Sequence, residues 1–409
     1  TPGFAAGVAL APHGRAAFVA DRGAGVHVID LLQPDQPRVA GSFKTPGSAF
    51  DVATGPEGLL FVADGSAGLL VLNVADPAAI RQVSQFDTTG TASAVILSAD
   101  KSLAFVADGS EGVVIVDVST PSAPRLVRRV NTPGDARDLA LSADGNTLFV
   151  ADGGAGVRVL DVSTPSSPAA VRVIETAGIA VGISLSAEGN LALVADSGAG
   201  VTVLNVETPA TATAIGRLDT AGSAVSVAFA RLGRLAYVAG SGAGLQLVDL
   251  SNPQQPRLVA TIDTPGYASD LAVARDGRQT LVADWNAGLR LLDVSLPTPF
   301  SVESELAAAP ITPRSAALSL ARVIPTLPEN TSTAGRIKLA DIVVTPSIDE
   351  RYELGLSGPA ASRFEVVAGG LYLRAETPLN FEEREERDQF VVTVTATPVG
   401  GGETMQVPF

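Results

Sequence analysis

Asp51, Asp138 and Asp270 are the side chains most able to do chemistry in this sequence. They share one recurring position, which reads Gly7, Asp51, Ala94, Asp138, Gly182, Ser226 and Asp270 along the chain. Carboxylates converging from three copies could hold a divalent cation, and a held cation can activate water for hydrolysis. The other four copies offer almost no ligands, so hydrogen bonding to backbone amides is the competing expectation. Other chemistry is scarce. The two histidines, His13 and His27, fall in a hairpin turn (APHGR) and on a neighbouring strand, and there is no cysteine to complete a zinc site or act as a nucleophile. No Gly-x-Ser-x-Gly elbow occurs, and GGAG at 153–156 reads as a turn rather than a phosphate loop.

What must position these residues is a repeat. VAD triplets end at Asp21, Asp64, Asp108, Asp152, Asp196 and Asp284, with Gly240 in the remaining slot, at spacings of 43 or 44. A Thr-x-Gly turn begins at Thr1, Thr45, Thr88, Thr132, Thr176, Thr220 and Thr264 with the same period. Each copy holds four strand candidates; in the second they are SAFDVAT, LLFVAD, LLVLNV and IRQVSQFD, separated by GPEG, DGSAG and DPAA. No segment carries the 3.6-residue apolar period of a helix. Four strands per unit, seven times over, predicts a seven-bladed β-propeller, with a solenoid of stacked hairpins as the alternative. Gly25, Gly68, Gly112, Gly156, Gly200, Gly244 and Gly288 follow each triplet slot by four residues, which implies a backbone of positive φ. The Asp before each is expected to accept backbone N–H bonds within its turn, and Asp or Asn at third-strand ends to start the next one.

Bulk composition agrees. The 409 residues are 46% hydrophobic, which excludes disorder, and 41 Gly with 27 Pro suit short strands and tight turns. Mean hydropathy is +0.30, yet no uncharged apolar run approaches the roughly 18 residues of a membrane helix. A net charge of −15 argues against nucleic acid and anionic membranes and is compatible with divalent cations. The chain opens at Thr1 without Met or a signal-like segment and reads as a mature or partial chain.

Third strands such as VVIVDV (113–118), VRVLDV (157–162) and LQLVDL (245–250), flanked by DVSTPSAPRLV (117–127) and TPGDARDLALSADG (132–145), resemble the LVIVD-repeat β-propellers of bacterial and archaeal surface or secreted proteins. The resemblance covers about residues 1–306 and implies architecture, with no catalytic motif to carry over. How the ring closes is open: no blade shares strands from both chain ends, so either side-chain packing or a further N-terminal strand is expected to close it.

AAAPITPRSAALSLAR (307–322) breaks the period and reads as a linker with room for one short docked strand. Beyond it, about seven short strand candidates follow, a β-sandwich pattern. Residues 323–409 resemble cadherin-like domains of bacterial exported proteins, through Pro328-Glu329-Asn330 and Leu379-Asn380-Phe381-Glu382. The resemblance implies Ca²⁺ ligands at Glu329, Asn380 and Glu382, with Glu383 assisting; Asn380 stands where that family has Asp. Otherwise no cofactor is expected.

The sequence therefore predicts an all-β chain: a propeller over 1–306, a linker over 307–322 and a cadherin-like sandwich over 323–409. The expected function is a non-catalytic scaffold or adhesion protein that contacts other proteins, located extracellularly, at a cell surface or in the periplasm. The alternative is a metal-dependent hydrolase or lactonase-like enzyme with an axial metal on Asp51, Asp138 and Asp270. Trp285, the only tryptophan, sits in the ADWNAG turn and is the candidate partner contact.

Overall fold

The computed structural model describes residues 1–293 apart from 34–35, 231–233 and 275–278, and, further on, the backbone of the strands Ala317–Ala321, Ile337–Thr345, Tyr352–Ser357, Phe364–Val367, Gly370–Leu373, Thr393–Pro398 and Met405–Pro408. The chain divides into two compact units, Thr1–Pro299 and Phe300–Phe409.

The first unit is a seven-bladed propeller, as the repeat predicts. Six blades are antiparallel sheets of four strands in chain order, and three strands of the seventh are described. Blade three is representative, with Ala94–Leu97 innermost, then Leu103–Ala107, Val113–Asp117 and Arg125–Val130 at the rim. The second and third strands are apolar almost throughout because both their faces are covered. Phe61, Phe105 and Phe149, at one position of the second strand, are almost completely buried. Rim strands are mostly exposed and alternate with charge, as in RLVRRV. In each of the first six blades the pairing of third with fourth strand slips by one residue, for example between Ile115 and Val116. Such bulges raise the local twist.

Seven apolar clusters fill the seven gaps between blades. One joins blades one and two through Val28, Val52 and Leu70. Another joins blades four and five through Val159, Ile183 and Val194. The cluster that makes a ring rather than a rod packs Val8, Ala17 and Val19 of blade one on Leu281 and Ala283 of blade seven. The stacked-hairpin alternative is thereby excluded, and the first strands of blades one and seven are direct neighbours.

Closure does not rest on side chains alone. At six successive junctions the residue after the VAD slot bridges an alanine of the next blade: Arg22 with Ala49, Gly65 with Ala92, Gly109 with Ala136, Gly153 with Ala180, Ser197 with Ala224 and Ser241 with Ala268. The seventh bridge, Trp285 with Ala5, crosses the seam with the same geometry, and the Ala5 N–H donates to the Trp285 carbonyl at 3.1 Å.

In the second unit the described strands form two antiparallel sheets. One orders Ala317–Ala321, Ile337–Thr345, Gly370–Leu373 and Phe364–Val367; the other orders Tyr352–Ser357, Thr393–Pro398 and Met405–Pro408. The strand Ala317–Ala321 falls within the stretch 307–322, and its backbone pairs with Ile337–Thr345. Glu329, Asn380, Glu382 and Glu383 lie outside the described residues, as do the motifs that carry the cadherin-like resemblance.

Candidate functional site

Three groups of residues could act chemically: the inner-strand aspartates, the VAD aspartates and the cluster at the ring seam. The first strands stand side by side around the axis, and their first residues include Asp51, Asp138 and Asp270. Each carboxylate reaches into the next blade. Asp51 Oδ2 accepts the Val95 N–H at 2.9 Å and Asp138 Oδ2 accepts that of Ile183 at 2.8 Å. Asp270 Oδ2 accepts the Val8 N–H at 2.9 Å, across the seam. The second oxygens are also engaged: Asp51 Oδ1 by the Val52 N–H, Asp138 Oδ1 by the Leu139 N–H, and Asp270 Oδ1 by the Ser226 hydroxyl at 2.8 Å. The blade without a carboxylate between two that have one carries a small residue. At Gly7 an added Cβ would lie 2.5 Å from the Phe50 carbonyl oxygen.

These aspartates are partly accessible along the axis yet enclosed by seven strands. Desolvation accordingly dominates their titration. It pushes Asp51 well above the usual carboxylate range, with the charge of Asp270 adding to it, Asp138 up to about 7 and Asp270 up to about 6. The backbone N–H bonds oppose the rise without cancelling it. Among the described residues, no three His, Cys, Asp or Glu side chains are grouped as metal ligands. The axial aspartates share a ring and influence one another's charge, but the structure does not draw them into one ligand cluster.

The VAD aspartates are fully buried, and their partners lie further away than turn chemistry predicts. Asp108 accepts the Thr88 hydroxyl at 2.6 Å and the Gly90 N–H at 3.0 Å. Asp152 does the same with Thr132 and Gly134, Asp284 with Thr264 and Gly266, and Asp21 with Thr1 and Gly3. The expectation of bonds within the turn is corrected accordingly: the carboxylate ties its turn to the Thr-x-Gly segment that opens the same blade. The VAD and Thr-x-Gly markers of the sequence are thus two halves of one device. Burial raises Asp108 to about 6 despite these donors. Blade six has Gly240 in the slot, and the side chain of Gln246 substitutes from the third strand, bonding both the N–H and the carbonyl of Ala221 at 3.3 and 2.7 Å. His27 occupies the matching place in blade one, with Nε2 3.0 Å from Asp21 Oδ2 and Nδ1 2.7 Å from the Ser42 hydroxyl. His13 only accepts a local bond from the Arg15 N–H.

The turn expectations hold elsewhere. The seven turn glycines have φ between 74° and 88°. The third-strand ends Asp30, Asn73, Asp117, Asp161, Asn205 and Asp249 each accept the N–H two residues on.

Trp285 stands at the seam. Its ring lies 5.2 Å from that of Phe4, tilted by 43°, and the Arg22 guanidinium sits 4.4 Å from the Trp285 centroid and 4.6 Å from that of Phe50. Arg22 and Trp285 both have φ of 46°, where blades two, three and four place glycine. Reading the sequence compares Trp285 with Arg22 as equivalent turn residues without bringing them together. It also passes over the alanines at 5, 49, 92, 136, 180, 224 and 268, whose strict period is the available signal for the bridges.

This geometry defines a seven-bladed propeller whose last blade is joined to its first by the bridge that links all the others. The family described as LVIVD repeat matches residues 46–88, 89–132, 133–176, 221–264 and 265–304, more than half of the chain, and the chain belongs to that family. Residues 177–220, between the matched copies, build a blade of the same four strands. No curated protein matches the chain at a significant level. Among solved structures, the propeller is similar to a chain of hydrazine synthase from Kuenenia stuttgartiensis, at 17% identity and TM-score 0.61, covering 72% of this chain and 96% of that one. It is also similar to U3-55K, at 13% identity and TM-score 0.57, covering 69% and 88% respectively. At these identities the likeness is one of fold.

Proposed function

We propose that this chain is a non-catalytic scaffold or adhesion protein, whose propeller presents its rim and faces to other proteins at a cell surface, in the periplasm or in an extracellular assembly. One observation carries the reading: the carboxylates available for chemistry are committed to holding the blades together. Each axial aspartate has both oxygens bonded, five of those six bonds coming from backbone amides of the next blade or its own strand and the sixth from the Ser226 hydroxyl. The uniform blades leave recognition to the turns and rim. Among the described residues no helix is long and apolar enough to cross a membrane. In this reading Glu329, Asn380, Glu382 and Glu383 bind Ca²⁺ in a cadherin-like module.

Chemical cross-linking of the native protein in its own membrane and medium fractions, followed by identification of the linked peptides, tests the proposal. The scaffold reading expects reproducible links from propeller turns or rim strands to another protein. Elemental analysis of protein prepared without chelator tests the enzyme alternative. One stoichiometric axial ion, lost together with hydrolytic turnover in Asp51→Ala and Asp138→Ala, would replace the scaffold with a metal-dependent hydrolase.

A further inference from the structure

We propose that the cluster of Phe4, Arg22, Phe50 and Trp285 is a docking site for a peptide of a partner protein that presents one carboxylate beside an apolar residue. The proposal rests on the scaffold reading and specifies its chemistry. Arg22 lies against two aromatic rings, at 4.4 and 4.6 Å, and has no carboxylate within ion-pair distance among the described residues. Its buried Nε is without an acceptor, as are those of Arg158 and Arg290. A guanidinium stacked by its faces keeps its N–H edge for a ligand, and that planar fork matches a carboxylate.

Arg22 and Trp285 hold φ of 46° at a turn position whose positive φ is common to the repeat, as at Ser197 (50°) and Ser241 (52°); what sets this seam apart is the pair of large side chains placed there on its two sides. Beside them Phe4 is 48% exposed and supplies an apolar surface next to the cation. A sugar would need a bare aromatic face, whereas Arg22 and Phe4 already pack on Trp285. The net charge of −15 opposes nucleic acids and other polyanions, so a single carboxylate in an apolar setting is the complementary partner.

Trp285 is the only tryptophan, so its fluorescence reports on this site directly. The full chain is titrated with the peptide Ac-Leu-Glu-Leu-NH2 and with its counterpart Ac-Leu-Gln-Leu-NH2. The expected result is a saturable change in Trp285 emission with the Glu peptide and about tenfold weaker binding of the Gln peptide, in keeping with the strength of a charge-assisted bond. Arg22→Met should abolish the preference for Glu, Arg22→Lys should retain part of it, and Phe4→Ala should weaken both peptides while keeping it. Equal binding of the two peptides, or an Arg22→Met protein that folds and still prefers Glu, overturns the proposal; if Arg22→Met does not fold, the wild-type comparison and Phe4→Ala decide. Cross-linking of a folded Arg22→Met chain separates the two readings: partners that remain linked leave the scaffold standing and remove this site.

Discussion

Asp270→Ala should open the ring, whereas Asp51→Ala and Asp138→Ala should only weaken it. The three aspartates make the same kind of bond to the next inner strand, at 2.9, 2.9 and 2.8 Å for Asp270, Asp51 and Asp138. Truncating any of them leaves an enclosed N–H without its acceptor, which costs about 1–3 kcal/mol. Asp270 also releases the Ser226 hydroxyl, so its loss falls at the upper end of that range. The decisive difference is topological. Blades two and three, and blades four and five, are also joined by the chain itself, while blades seven and one meet only through noncovalent contacts within the described residues. After Asp270→Ala the seam keeps the Ala5–Trp285 bridge, the Ser269 hydroxyl bond to the Ala5 carbonyl at 2.7 Å and one apolar cluster. Hydrogen exchange should therefore show Val8 and Ala5 losing protection ahead of the other inner strands, as local opening falls below the cost of global unfolding. Trp285 emission, which reads the seam, should change at lower denaturant than the exchange of blade-three and blade-four amides. In Asp51→Ala the two probes should stay together. Coincident probes in all three variants, with equal protection at Val8, would refute the assignment of Asp270 as the closing bond.

Three other outcomes follow from the same geometry. Gly156→Ala should destabilise the propeller by about 2–4 kcal/mol, since φ is 75° and a Cβ would lie 2.3 Å from the Ile174 carbonyl oxygen, adding a steric clash to backbone strain; an unchanged denaturation midpoint would contradict it. The Asp138 carboxyl, raised to about 7 in the fold, binds its proton more tightly there than in the unfolded chain, so its contribution is complete below about pH 4 and is lost as pH rises through 7. Asp138→Asn should flatten the fall in stability between pH 5 and 8 by about 2–3 kcal/mol, measured by urea unfolding across that range. If Glu329 and Glu382 bind Ca²⁺ as proposed, adding calcium should raise the melting temperature of the second unit over that in chelator, and Glu382→Gln should remove the difference.

The seven blades were legible because each copy solves the same local problem with the same residues. Every blade but the sixth spends an Asp on its Thr-x-Gly opening, and every tight turn needs its glycine, so both recur at one period. The sixth blade shows the limit of that signal: Gly240 reads as a gap, because the compensating Gln246 enters from a different strand. The role of the axial aspartates could not be read from residue type, since a carboxylate that binds a cation and one that caps an N–H look alike in sequence. What separates them is the stagger of adjacent inner strands, which sets Val95, Ile183 and Val8 within reach. Closure was hidden for a related reason. Ala5 and Trp285 are 280 positions apart, and an alanine chosen to let two backbones touch resembles filler.

Around the axis, acceptor and small residue alternate through Gly7, Asp51, Ala94, Asp138 and Gly182, and then the pattern meets Ser226 and Asp270. Strict alternation cannot be continued around an odd number of members, so one neighbouring pair must break it. Gly182 and Ser226, adjacent and both without a carboxylate, are that break, and Ser226 turns its hydroxyl to Asp270 at 2.8 Å. The parity of the ring thus fixes where its irregular pair must sit in composition, though not in chain position. Inserting or deleting a single copy would give an even ring, in which strict alternation can close without a defect, whereas changes by two copies keep one.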